Sequence, residues 1–207
     1  MSITTYDELC KAIVDWSHRE DILELIPNFI DAAEQHMYDN ETEALQLRVM
    51  EVVSTSLTTG RFIQLPPNFE SSRAVRLNID GYGEIKFRTP EALNRKPSTA
   101  RPLFFSVIGN NIEFDCLPDS EYTIEMQYYK KAEPLTASNQ TNEILLSHSN
   151  IYLFGALYEV AVYEQDYQEQ QVKATRFFNS IKGANRTDKR GRYGNAPTMS
   201  IEGGMRP

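Results

Sequence analysis

Three histidines, His18, His36 and His148, are the imidazoles available for chemistry in 207 residues, and they are scattered. His36 lies near Glu34, Asp39, Glu41 and Glu43, a set that could suggest a divalent-cation site. Those acids fall on a helix end and the stretch after it, where a solvated charged face is the ordinary outcome. His148 between Ser147 and Ser149 has the makings of a nucleophile and base. Adjacent residues do not usually share an attack geometry, however, and no acidic orienter is evident, so a helix-capping loop is expected. Asp115 with Asp119 or Glu121 could form a glycosidase pair, but in a chain with 29 acids such pairs arise by chance. HExxH, GxSxG, P-loop and GxGxxG motifs are all missing. Asn40, Asn139 and Asn185 each open an Asn-x-Thr triplet and read as ordinary loop residues, because the acidic opening segment does not look like an export signal. Cys10 and Cys116 are far apart and are expected to be reduced, mostly buried thiols. The residues therefore predict no catalytic group, no metal and no cofactor.

The strongest binding signal is a cationic cluster. Arg186, Lys189, Arg190, Arg192 and Tyr193 lie within eight positions, separated by Gly191. Residues 1–172 hold 13 Lys and Arg against 27 Asp and Glu, while residues 173–207 hold 8 against 2. An acidic body repels nucleic acid, whose affinity for proteins comes largely from neutralised phosphates. The cluster is read instead as an arm that orders on a protein partner, with Arg bidentate to carboxylates and Tyr packed in a pocket.

The elements that must carry these residues run as helices, a sheet, then helices. From Thr5 to about Ser17 the apolar residues Tyr6, Leu9, Ala12, Ile13 and Trp16 form a helical stripe, with Thr5 and Glu8 at capping-box spacing. A second helix is predicted near Pro27, with Ile26, Phe29, Ile30, Ala33 and Met37 on one side. From Leu47 the period changes to two. Two hairpins follow, one turning at residues 80–83 and one at Gly109-Asn110-Asn111, and then a strand with Tyr122, Ile124, Met126 and Tyr128. Five or six strands in an antiparallel sheet with one buried face are expected, with residues 95–102 as an exposed loop. A helix of unusual apolarity is predicted from a Ser149 or Asn150 cap to Tyr163, then a break near Asp166 and a second helical segment to Gly183. Residues beyond Gly183 show no apolar periodicity and read as a tail without a core. No stretch approaches the roughly 18 apolar residues that a membrane span requires.

Several segments together resemble the head-to-tail adaptor proteins of tailed bacteriophages, the kind that sit beneath the portal in short-tailed phages. They are YDELCKAIVDWSHREDILELIPNFIDAAEQHM at the start, LPPNFESSRAVRL (65–77), YTIEMQYYKKAEPL (122–135) and NIYLFGALYEVAVYEQD (150–166). SHSN stands before IYLF where a His-Pro-Asp-like turn is expected. The resemblance implies an α+β fold. N-terminal helices (1–45) and C-terminal helices (132–183) would make a bundle, with an inserted antiparallel β-domain (46–131) and a basic extended tail (184–207). Tyr152, Leu153, Leu157, Trp16 and Phe29 are then expected to pack the bundle or ring. The implied role is structural, not enzymatic. Copies form a ring, by analogy twelve-fold, on the portal protein in the virion neck after synthesis in the host cytoplasm. Arg186, Lys189, Arg190, Arg192 and Tyr193 reach the portal, the other side meets tail, nozzle or fibre proteins, and DNA passes without specific binding. The rival readings are a neck or tail-completion protein and a tail-associated cell-wall hydrolase.

Overall fold

Helix formation begins where the sequence places a cap. In the computed structural model, which describes residues 3–39, 44–79 and 83–193, α1 (Tyr6–Ser17) opens on a complete capping box. The Glu8 N–H donates to the Thr5 hydroxyl at 3.2 Å, and the Thr5 N–H donates to the Glu8 carboxylate at 3.3 Å. The helix buries Tyr6, Leu9, Ala12 and Ile13. α2 (Ile26–Tyr38) carries Pro27 in its first turn and buries Ile26, Phe29, Ile30, Ala33 and Met37, the stripe its periodicity predicts.

α3 (Glu143–Tyr163) starts earlier than the sequence reading places it. Its cap is Asn142, whose side-chain oxygen accepts the Leu145 N–H at 2.8 Å, and Ile144 and Leu145 are fully buried in its first turn. The backbone leaves helical geometry at His148, so the residues read as a cap mark an internal kink. α1, α2 and α4 (Tyr167–Tyr193) all pack on α3, which is why its apolar residues occupy almost every side. The predicted break between the last two helices is present at residues 164–166. There the Asp166 carboxylate accepts the N–H groups of Gln168 and Glu169 at 3.0 and 3.1 Å.

α4 does not stop at Gly183. It continues to Tyr193, which corrects the expected extended tail over residues 184–193. The reason is tertiary. Ala184 and Asn185 are buried, and Asn185 clasps the chain at residues 44–46, accepting the Gln46 N–H and donating to the Ala44 carbonyl, both at 3.0 Å. The Arg48 N–H donates to the Asp188 carboxylate one turn further on. Residues 194–207, the rest of the expected tail, lie outside the described residues, as do Asp80, Gly81 and Tyr82 of the first predicted turn.

By contact density the chain divides into a helical unit, Met1–Val49 with Glu133–Pro207, and a sheet unit, Met50–Ala132. The sheet unit has seven strands: β1 (Glu51–Leu57), β2 (Phe62–Gln64), β3 (Phe69–Leu77), β4 (Glu84–Phe87), β5 (Phe104–Ile108), β6 (Asn111–Phe114) and β7 (Thr123–Lys130). Their order is β1-β7-β3-β4-β5-β6-β2. Both predicted hairpins form, with Val75 opposite Ile85 and Phe105 opposite Phe114. Gly109, at φ +57°, supplies the left-handed backbone that the second turn needs. One core takes Ile63 from β2 at one edge and part of Val52 from β1 at the other, so the sheet curls around it.

The expectation of a wholly antiparallel sheet fails at one pair. β4 and β5 run parallel, with Lys86 beside Phe104 and Phe87 beside Phe105. A parallel neighbour requires a long crossover, and residues 88–103 provide it. The crossover is pinned across the sheet. Arg95 makes a bidentate pair with the buried Glu113, both bonds 2.8 Å, and Lys96 lies 3.3 Å from the buried Asp115. Both thiols are free, Cys116 being buried and Cys10 half-buried.

Candidate docking surfaces

Several of the groups that could have carried chemistry have structural partners. The Ser147 hydroxyl donates to the Glu143 carbonyl at 2.6 Å, one helical turn back, and the neighbouring His148 is half-buried, its pKa lowered by that burial. Asp115 accepts the N–H groups of Leu103 and Phe104 at 3.0 and 3.2 Å, while Asp119 accepts the Tyr122 hydroxyl at 2.5 Å. His36 Nε2 faces Glu159 at 3.2 Å. Among the described residues no group of three or more His, Cys, Asp or Glu side chains could hold a metal ion; Glu41 and Glu43 lie outside them. No described helix is long and apolar enough to cross a membrane.

The cationic cluster stands on a folded helix. Spacing of three and four residues places Lys182, Arg186, Lys189 and Arg190 on the outward side of α4, and all four are exposed. Arg192 is half-buried, and Tyr193 closes the helix. Among the described residues Lys182, Arg186 and Arg190 make no ion pair. Lys182 does not stand out in the sequence, because it precedes the point where helical periodicity fades. The role of Asn185 is not legible there either, because its partners are some 140 positions away in the chain.

Of the five residues expected to pack the bundle or ring, Tyr152, Leu153, Leu157 and Phe29 are buried within the helical unit. Trp16 differs. It is 47% exposed, with its ring edge-on to Phe154 at 5.8 Å, and Arg176 lies over the same Phe154 ring at 5.5 Å. Trp16 borders a cleft of about 300 Å³ whose floor is Leu157, Val160 and Ala161 and whose rim includes Glu164, Glu169 and Lys173. Arg19 ties this end together, bonding Asp21 at 2.6 Å and Glu164 at 2.8 Å. Asp15, Glu20 and Glu24 stand exposed on the adjoining residues of α1 and the turn after it. The helical unit thus has an acidic, aromatic end where α4 begins and a cationic end where it finishes, about 40 Å apart at 1.5 Å per residue.

Beneath these surfaces a buried polar network fixes α2 against the start of α3. Glu34 accepts the Leu135 N–H and the Tyr152 hydroxyl, each at 2.9 Å, and Asn142 donates to that same hydroxyl at 2.7 Å. Burial pushes the Glu34 carboxyl above its ordinary 4.5, against the two hydrogen bonds that lower it, and burial also raises Glu159, with His36 opposing. A carboxyl raised by folding binds its proton more tightly in the native state. Its contribution is therefore full below the unfolded value and is lost as pH rises through the folded one. We expect Glu34→Gln to keep both hydrogen bonds, to be at least as stable as wild type at pH 7, and to flatten the fall in stability as pH rises above the ordinary carboxyl value of 4.5. Glu34→Ala leaves two donors without an acceptor and costs about 2 kcal/mol. Urea unfolding followed by the fluorescence of Trp16 measures both; an undiminished pH slope in Glu34→Gln would place its origin elsewhere.

No curated protein matches the chain. The profile of the SU10 adaptor protein family matches residues 4–199, nearly the whole sequence, in accord with the resemblance to phage head-to-tail adaptors. An adaptor family of this kind points to a structural component of the virion that associates with other head and tail proteins. The chain belongs to the SU10 adaptor protein family.

Proposed function

We propose that this protein is a head-to-tail adaptor, copies of which form a ring, by analogy twelve-fold, beneath the portal and link the filled head to the tail. Its family membership carries the reading. The arrangement of charge supports it. A helical unit with a docking surface at each end of a 27-residue helix suits a bridging role. The acidic residues of the body would keep DNA from adhering as it passes, since like charges repel. On this reading the portal contact belongs to residues 192–207, Arg192 and Tyr193 included, and tail, nozzle or fibre proteins meet the ring from the other side. Arg186, Lys189 and Arg190, expected from the sequence to reach the portal with Arg192 and Tyr193, stand on the folded α4.

The test is truncation. Removal of residues 192–207 spares the Asn185 clasp and should leave a protein that still unfolds cooperatively in urea. Its retention on isolated portal should fall at least about tenfold, a loss of about 1.4 kcal/mol or more. Full-strength cosedimentation with portal would defeat the assignment. Mixing the protein with a tail tube instead of a portal separates this role from that of a neck or tail-completion protein.

A further inference from the structure

We infer that the cationic outward face of α4 on one copy docks on the acidic, Trp16-bearing end of the next copy, joining subunits head to tail. The inference rests on the ring proposed above and specifies its contact. Lys182, Arg186 and Arg190 are exposed and without an ion pair among the described residues. Asp15, Glu20 and Glu24, within eight positions of Trp16 in the chain, are exposed too and likewise form none among the described residues. Within one copy these groups cannot meet, because Lys182 and Lys189 lie about 20 and 30 Å along α4 from Glu169 on the cleft rim.

Complementarity to the helix macrodipole does not account for the pattern. That effect fades within the first and last turns. Lys182 and Arg186 are about three and two turns from the end of α4, so of the three cations the dipole reaches Arg190 alone, and Asp15, Glu20 and Glu24 are on other elements. The apolar parts match as well. Phe178, 38% exposed, precedes Lys182 by one turn on the same side of α4, and the receiving end offers a half-exposed Trp16 over an apolar floor. Copies carrying a net charge of −8 repel one another in most orientations. A two-fold contact through either end would bring like charges together. A head-to-tail contact brings opposite ends together, and such heterologous contacts close into rings when the rotation permits.

The experiment assembles an equal mixture of ¹⁴N- and ¹⁵N-labelled full-length protein on purified portal, adds a zero-length carbodiimide cross-linker, and identifies the joined peptides by mass spectrometry. The expected products join Lys182 or Lys189 of one isotope to Glu20 or Glu24 of the other. In parallel, K182E/R186E/R190E and D15K/E20K/E24K, all exposed positions, should each lose about tenfold or more in assembled rings at low salt, and their mixture should restore assembly. Cross-links from Lys182 and Lys189 to the portal, or rings that form unchanged in both charge variants, overturn the inference while the ring stands. Wild-type protein that binds portal without neighbouring copies overturns the ring itself.

Discussion

Replacement of Asp115 by alanine is expected to destabilise the sheet unit by about 3 kcal/mol. Its side chain is 1% exposed and has three partners, the N–H groups of Leu103 and Phe104 and the Lys96 ammonium. Alanine leaves both N–H groups without an acceptor where the chain enters β5, and it releases the Lys96 ammonium, while the Lys96 N–H stays on the residue 115 carbonyl. The crossover then keeps Arg95 on Glu113 as its remaining ion pair to β6. Asp115→Asn retains an acceptor for the N–H groups and loses the ion pair, so a cost of about 1 kcal/mol is expected. The single tryptophan lies in the other unit, so its fluorescence does not report this loss. Hydrogen exchange across residues 104–114 does, with faster exchange in Asp115→Ala than in Asp115→Asn. Wild-type protection in the alanine variant would show that the backbone of β5 does not depend on this carboxylate.

A comparable loss is expected from one methyl group in the helical unit. A Cβ on Gly155 would lie 2.8 Å from the Ala33 Cβ and 2.9 Å from Phe177 Cε2, both on fully buried residues. Here α3 meets α2 on one side and α4 on the other, and neither neighbour is the loose end of a flexible chain. Gly→Ala in a helix interior ordinarily stabilises by about 1 kcal/mol, but overpacking costs about 3 kcal/mol at a site that cannot yield. A net loss of about 2 kcal/mol follows for Gly155→Ala, and Gly155→Leu should not fold stably. Ala33→Gly in the same chain removes one of the two clashes. The double variant should therefore be more stable than the sum of the single effects, a coupling that a double-mutant cycle in urea, followed by Trp16 fluorescence, resolves. Additive effects would mean that the helices separate freely at this crossing.

Local signals were legible where the chain settles its own geometry. Thr5 with Glu8, Pro27 in the first turn of α2 and Gly109 in its hairpin each act within a few residues, and each was readable. The alternation of Val75 and Leu77 with Arg76 likewise announced which side of β3 is buried. Features set by distant partners were not. Nothing near residue 185 signals that its amide will bridge to residues 44 and 46, so glycine and cationic residues there suggested a tail. The parallel pairing of β4 with β5 comes with a crossover tied by ion pairs to residues 113 and 115, some twenty positions away in the chain. Asn142 was a missed local signal. An Asn followed by Glu and three apolar residues is a serviceable helix start, but the kink at His148 made the later Ser-Asn look like the cap. For the docking surfaces, the types of the cationic residues were legible and their alignment was not, because alignment exists only once the helix does.

The helical unit is discontinuous, and this bears on how the polypeptide is born. Residues 50–132 are contiguous, so they can acquire their structure while synthesis continues, whereas α1 and α2 precede by about a hundred positions the helix they both pack on. During translation those two amphipathic segments must wait at the ribosome with their apolar stripes uncovered, and the Asn185 clasp on residues 44–46 is among the last native contacts to become available. A nascent chain therefore holds neither finished pole until α4 has been synthesised, which delays partnering among unfinished copies.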